Sequence, residues 1–161
     1  MDYLEYEIRE KQARLHINSF DMTLGRLIDL YDKQQFIIPK EYQDYISWTI
    51  VEQTCFIENL LLGFPIPAIF VVENSEHQWE LIEGVQRILT VFSLFGRLTH
   101  MPEQNGLTLT QGQFIEQLEG IDADNMPDFI KQQLHDKPCH VDSIRWDSDI
   151  EFLGEVFKQS H

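Results

Sequence analysis

Trp79-Glu80-Leu81-Ile82-Glu83-Gly84-Val85-Gln86-Arg87-Ile88-Leu89-Thr90 is the stretch in which the hydropathy pattern of the chain changes period. Gln78 to Ile82 reads as a strand. After Gly84 the apolar residues Ile88, Leu89, Val91, Phe92 and Phe95 recur at helical spacing to about Arg97. A strand ends, a carboxylate follows, a glycine turns the chain, and a helix opens with Gln86 and Arg87 in its first turn. Upstream, Ala68-Ile69-Phe70-Val71-Val72 is a second strand-like run. Asn74-Ser75-Glu76-His77 between the two runs is a turn, so they form a hairpin.

That turn has chemical consequences. The free backbone N–H groups at a helix start, together with its dipole, favour an anion. Gly84 lets a ligand approach the backbone closely. Arg87 can clamp a phosphate with its planar fork. Glu83 can hold a divalent cation or orient a water beside bound phosphates. The plainer alternative is an ordinary β-to-α turn, with Glu83 as a first-turn acid and Arg87 as a surface side chain.

Working outward, Leu24, Leu27, Ile28 and Tyr31 predict a helix over 23–32 with Asp21 or Thr23 as cap. Phe36-Ile37-Ile38-Pro39 is a short extended piece, because Pro39 keeps Ile38 out of the helical region. A helix is expected over about 48–62, capped by Ser47 and stopped by Gly63, with Ile50, Thr54, Ile57 and Leu61 on one face. Thr110-x-x-Gln113 and Ser148-x-x-Glu151 read as capping boxes for helices near 111–119 and 149–159. Pro127 opens a helix over 127–135, and His140 to Trp146 is a short strand. The expected fold class is α+β, a small sheet with helices around it. Residues 1–15 form an N-terminal arm and 16–161 a single domain, truncated at its C-terminal end if the natural chain runs on.

Composition narrows the function classes. Twelve Lys and Arg face 27 Asp and Glu, a net charge of −15, and acids outnumber bases in both halves. Such a surface repels phosphate backbones and disfavours direct DNA binding, but a few aimed donors still suffice for one local anion pocket. Two cysteines exclude a disulfide scaffold. The acidic start Met1-Asp2-Tyr3-Leu4-Glu5 lacks the bases of a signal segment. The most apolar stretch, Phe56 to Val72, is interrupted by Glu58, Asn59, Gly63, Pro65 and Pro67. A cytoplasmic protein with no membrane segment is expected, and an oligomer is compatible with the sequence.

His135, Cys139 and His140 lack a second pair at zinc spacing, so a buried thiol and surface imidazoles are expected. Cys55 has no neighbouring base and is expected in the core. Phe92, Phe95, Phe152 and Phe157 sit at helical positions and are expected to pack internally. The acidic run holding Asp142, Asp147, Asp149, Glu151 and Glu155 is expected to be a solvated face.

Four motifs in order resemble one family. They are Asp21-Met22-Thr23-Leu24-Gly25-Arg26-Leu27-Ile28; Ile38-Pro39-x3-Gln43-x4-Trp48; Phe56-Ile57-Glu58-x2-Leu61-Leu62-Gly63-x-Pro65-Ile66-Pro67; and Ile82-Glu83-Gly84-Val85-Gln86-Arg87-x2-Thr90. Together they resemble the DUF262 family, the N-terminal domain type of GmrSD-like modification-dependent restriction systems, over about residues 16–157.

The resemblance implies a ParB/sulfiredoxin-like small mixed sheet surrounded by helices. It implies binding, and hydrolysis, of a nucleoside triphosphate with Mg²⁺, and regulation of a nuclease subunit or domain not present in this chain. It casts Glu83 and Arg87 as catalytic, Glu83 as the metal-holding acid, and Gly84, Gln86, Arg87 and Gln43 as nucleotide-binding. Glu83 stands where the hallmark carries Asp, Asp44 stands where an Arg is expected, and the chain ends at Val156-Phe157-Lys158-Gln159-Ser160-His161. These departures define the alternative, a catalytically degenerate interaction module, a subunit or an acidic inhibitor, that retains the fold.

Overall fold

The computed structural model describes residues 2–39, 46–145, 151 and 155. The elements are α1 (Tyr3–Ala13), β1 (Ile17–Thr23), α2 (Leu24–Asp32), β2 (Phe36–Ile37), α3 (Ile50–Leu61), β3 (Ile69–Glu73), β4 (Trp79–Glu83), α4 (Val85–Phe95), α5 (Asp128–His135) and β5 (Pro138–Ile144). The five strands form one sheet in the order β1-β5-β3-β4-β2. The β1/β5 and β3/β4 pairs are antiparallel, while β3/β5 and β2/β4 are parallel. The expected α+β class with a mixed sheet is what the chain adopts.

Inward residues of neighbouring strands meet in register: Val141 stands opposite Ile69, and Val71 opposite Leu81. All four are fully buried, as are Leu27 of α2, Ile57 of α3, Leu89 and Phe92 of α4 and Leu134 of α5. One apolar core thus joins the sheet to four helices. The sheet curls enough for Phe20 of β1 to meet Trp79 of β4, ring centroids 5.3 Å apart. The first helix, α1, buries none of its residues.

Thr23, not Asp21, caps α2, with Oγ1 accepting from the Arg26 N–H at 3.1 Å. The cap of α3 is Thr49 rather than Ser47, and Thr49 with Glu52 makes a reciprocal capping box. The physical reason lies in another element: the Ser47 and Trp48 N–H groups donate to the Gln86 side chain, which holds that backbone out of the helix. Ile50 therefore falls in the first turn of α3 and is exposed, whereas Thr54 and Ile57 are buried. Gly63 ends α3 with φ 105°, as expected.

The expected helix over 111–119 does not form. The Thr110 N–H and hydroxyl bond to Thr54 Oγ1 instead of capping a helix. The next donors, the N–H groups of Gln113, Phe114 and Ile115, point at the Glu58 carboxylate. Only a single 3₁₀ turn, Glu116–Leu118, remains. The helix over 127–135 is α5, with Pro127 at its cap. The last strand starts earlier than expected, at Pro138. Gln43, Asp44, Trp146, Asp147, Ser148, Asp149, Phe152 and Phe157 lie outside the described residues, as does most of the expected helix 149–159; Glu151 and Glu155 within it are helical and exposed.

Successive residues of β5 point to opposite faces, which separates Cys139 from His140. Cys139 is fully buried, and burial pushes its thiol up to about 11. His140 faces the other way. Its Nδ1 lies 2.8 Å from Asp21 Oδ1 and its Nε2 3.0 Å from Asp142 Oδ1, while the Ser19 hydroxyl donates to the same Asp142 oxygen at 2.6 Å. A ring with a carboxylate at each nitrogen is best served by carrying both protons. Hydrogen bonding to Asp21 and then to Asp142 raises its pKa above the ordinary 6.5.

The stabilisation from a raised histidine pKa is complete below the unfolded value and fades as pH climbs through the folded one. Titration of the His140 ring by NMR is therefore expected to give a midpoint above 6.5. The melting advantage of the wild type over His140→Gln should shrink as pH rises above about 6.5. A midpoint at or below 6.5 would refute the bridging role.

Candidate functional site

The turn between β4 and α4 is built around Gly84. Its backbone is left-handed, φ 96° and ψ 16°, a conformation that lets the strand turn directly into the helix. It also packs tightly, since a Cβ at this position would stand 2.7 Å from Ile69 Cγ2. Its carbonyl accepts the first bond of α4, from the Ile88 N–H at 3.1 Å. No side chain caps α4, so the N–H groups of its first turn keep their partial positive charge.

Gln86 and Arg87 project from that turn. The Gln86 Oε1 accepts from the Ser47 N–H at 2.9 Å and the Trp48 N–H at 3.2 Å. Arg87 lines a cleft of about 430 Å³ together with Trp48 and Phe56, the turn residues Pro65 and Pro67, and Phe64. Trp48 stands edge-on to Phe56, with centroids 5.6 Å apart. Among the described residues the Arg87 guanidinium has no ion pair or hydrogen bond. It is also the sole cation of the cleft lining. The Glu52 carboxylate lines the same cleft but is engaged at the start of α3, where it accepts from the Thr49 N–H, so in a chain of net charge −15 the half-buried Arg87 stands without an ion pair among the described residues and is poised for an anion.

Glu83 ends β4, half-buried and opposite Phe70 in the β3 register. It engages another group and is not part of the Arg87 cleft lining. The structure thus gathers Gly84, Gln86 and Arg87 around Trp48 and the Pro65–Pro67 turn, and leaves Glu83 one residue upstream. Gln43 lies outside the described residues. No group of three His, Cys, Asp or Glu side chains placed to hold a metal occurs among the described residues. An Mg²⁺ bridged by phosphates and one carboxylate would not require such a group.

Cys55 is a correction: its side chain is exposed and contributes to the cleft wall rather than to the core. The signal for this was present, because Glu52, Cys55, Phe56 and Asn59 fall at i, i+3, i+4 and i+7 on α3. Glu58, which in the sequence reads as a polar break in an apolar stretch and as part of a motif, is 1% exposed and holds the 113–115 backbone through three N–H···O bonds of 2.8–3.2 Å.

Among the described residues no helix is long and apolar enough to cross a membrane. Residues 24–159 match the family model described as GmrSD restriction endonuclease, N-terminal domain. No curated protein and no solved structure matches the chain.

Proposed function

Because this chain belongs to the family of GmrSD restriction endonuclease N-terminal domains, we propose that it is the nucleotide-responsive regulatory domain of a modification-dependent, anti-phage restriction system. In this reading a nucleoside triphosphate with Mg²⁺ binds at the start of α4. Its phosphates accept from the uncapped N–H groups after Gly84 and from Arg87, and Glu83 holds the metal or a water. Binding then controls a nuclease domain or subunit. The supporting observation is that residues of three separated motifs, Trp48, Pro65 with Pro67, and Arg87, line one cleft in which Arg87 makes no ion pair among the described residues.

Thermal unfolding with each nucleoside triphosphate plus Mg²⁺ tests the reading. At about 100 times its dissociation constant, a ligand should add roughly 2.7 kcal/mol of stability. For a domain of this size that raises the melting temperature by roughly 5–10 °C. The shift should appear with one nucleotide and vanish in Arg87→Ala. Bound nucleotide should also slow alkylation of Cys55, which stands in the cleft wall. Turnover of the stabilising nucleotide, lost in Glu83→Gln, would carry the hydrolytic half of the proposal.

The second reading is an interaction module without catalysis. It is favoured by the exposed apolar side chains Val51 and Leu62 at the two ends of α3, and Phe64 just beyond. A cooperatively unfolding protein that no nucleotide stabilises would make this the better account.

A further inference from the structure

We propose that Gln86 is a positioning residue: its side-chain carbonyl holds the Ser47–Trp48 backbone so that the Trp48 indole forms a fixed wall of the Arg87 cleft, against which a planar ring of the ligand stacks. The stacking half rests on the nucleotide reading; the holding half does not.

A carboxamide oxygen offers two lone pairs, and both Gln86 bonds, 2.9 and 3.2 Å, come from consecutive backbone N–H groups 39 and 38 residues upstream. Among the described residues no other hydrogen bond ties Ser47 or Trp48 to the rest of the chain. The indole itself is braced by Phe56 of α3 at 5.6 Å. Trp48 is therefore held from two sides, its backbone by α4 and its ring by α3. Gln86 can serve this way because it lies in the first turn of α4, whose position Gly84 fixes against Ile69.

The arrangement also couples two functions in one helical turn. Arg87 supplies the charge of the cleft, and its neighbour holds the aromatic wall. A ligand with an anionic group and a heteroaromatic ring engages both, and stacking on an aromatic side chain accepts any base because every base has a π-face.

The test compares Gln86→Ala with Gln86→Glu, whose carboxylate still accepts two N–H groups. Hydrogen exchange of residues 46–49 should quicken by about tenfold or more in Gln86→Ala and stay near wild type in Gln86→Glu, while exchange in β3 and β4 is unchanged. Emission of Trp48, read in a Trp79→Phe/Trp146→Phe background, should shift to the red in Gln86→Ala alone. With the nucleotide that stabilises the wild type, Gln86→Ala should weaken quenching of Trp48 about tenfold although Arg87 is intact. Unchanged exchange in Gln86→Ala overturns the proposal, and so does equal loss of protection in both variants. A wild type that no nucleotide stabilises sinks the nucleotide reading, and the exchange comparison still decides the holding role.

Discussion

Glu58→Ala should lower stability by about 3–5 kcal/mol, the scale expected when three part-buried N–H donors lose their acceptor at about 1–3 kcal/mol each. In a domain of this length that corresponds to a fall of about 10 °C in the melting temperature. Glu58 sits on α3, 1% exposed, and its two oxygens accept from Gln113, Phe114 and Ile115. The fit is close, since a Cβ on Gly112 would lie 2.2 Å from Glu58 Oε2. Alanine leaves three donors without their acceptor and a void beside Gly112.

Glu58→Gln should cost less, because one carbonyl oxygen still accepts while its amide group faces donors. Calorimetry measures the loss, and hydrogen exchange locates it: protection at 113–115 should vanish before that of the sheet. A melting temperature within about 3 °C of wild type in Glu58→Ala would show that water replaces the carboxylate at little cost.

Gly84→Ala should destabilise by roughly 2–5 kcal/mol, from two separable causes. The left-handed backbone at φ 96° penalises any Cβ by about 1–2 kcal/mol. Overlap with the fully buried Ile69, at 2.7 Å from Cγ2, adds an overpacking cost of about 1–3 kcal/mol. Gly63 provides the control. Its φ is 105°, but nothing lies within 4 Å of its missing Cβ, so Gly63→Ala should show only the first cost. Equal melting temperatures for the two variants would mean that Ile69 moves aside freely. If nucleotide binds at this turn, Gly84→Ala should also abolish the thermal shift.

Local signals in this chain are legible in its sequence, and long-range contacts are not. The hairpin of β3 and β4, the switch to α4 at Gly84, α2 and α5 were readable because alternation, helical spacing and a turn residue are local signals. The failures had distant causes. Thr110-x-x-Gln113 satisfies a helix-cap pattern, yet Thr54 and Glu58, some 55 residues away, capture its donors first. Ser47 looked like a helix cap, yet Gln86 engages its N–H across 39 residues. Cys55 has no neighbouring base and so reads as a core thiol, whereas helix phase turns it outward into the cleft.

The α+β class, the strand–Gly84–helix turn and, through four ordered motifs, the restriction-endonuclease N-terminal family are all legible along the chain. Periodicity and motif order are local properties that need no packing to be expressed. Packing in three dimensions brings Trp48, Pro65, Pro67 and Arg87 to one cleft, makes Glu58 a buried strut for the 113–115 loop, and commits the Gln86 carbonyl to the Ser47–Trp48 backbone. The reason is physical: a polar side chain takes whichever donor or acceptor packing brings within about 3 Å, and packing between distant segments leaves no local trace in the sequence.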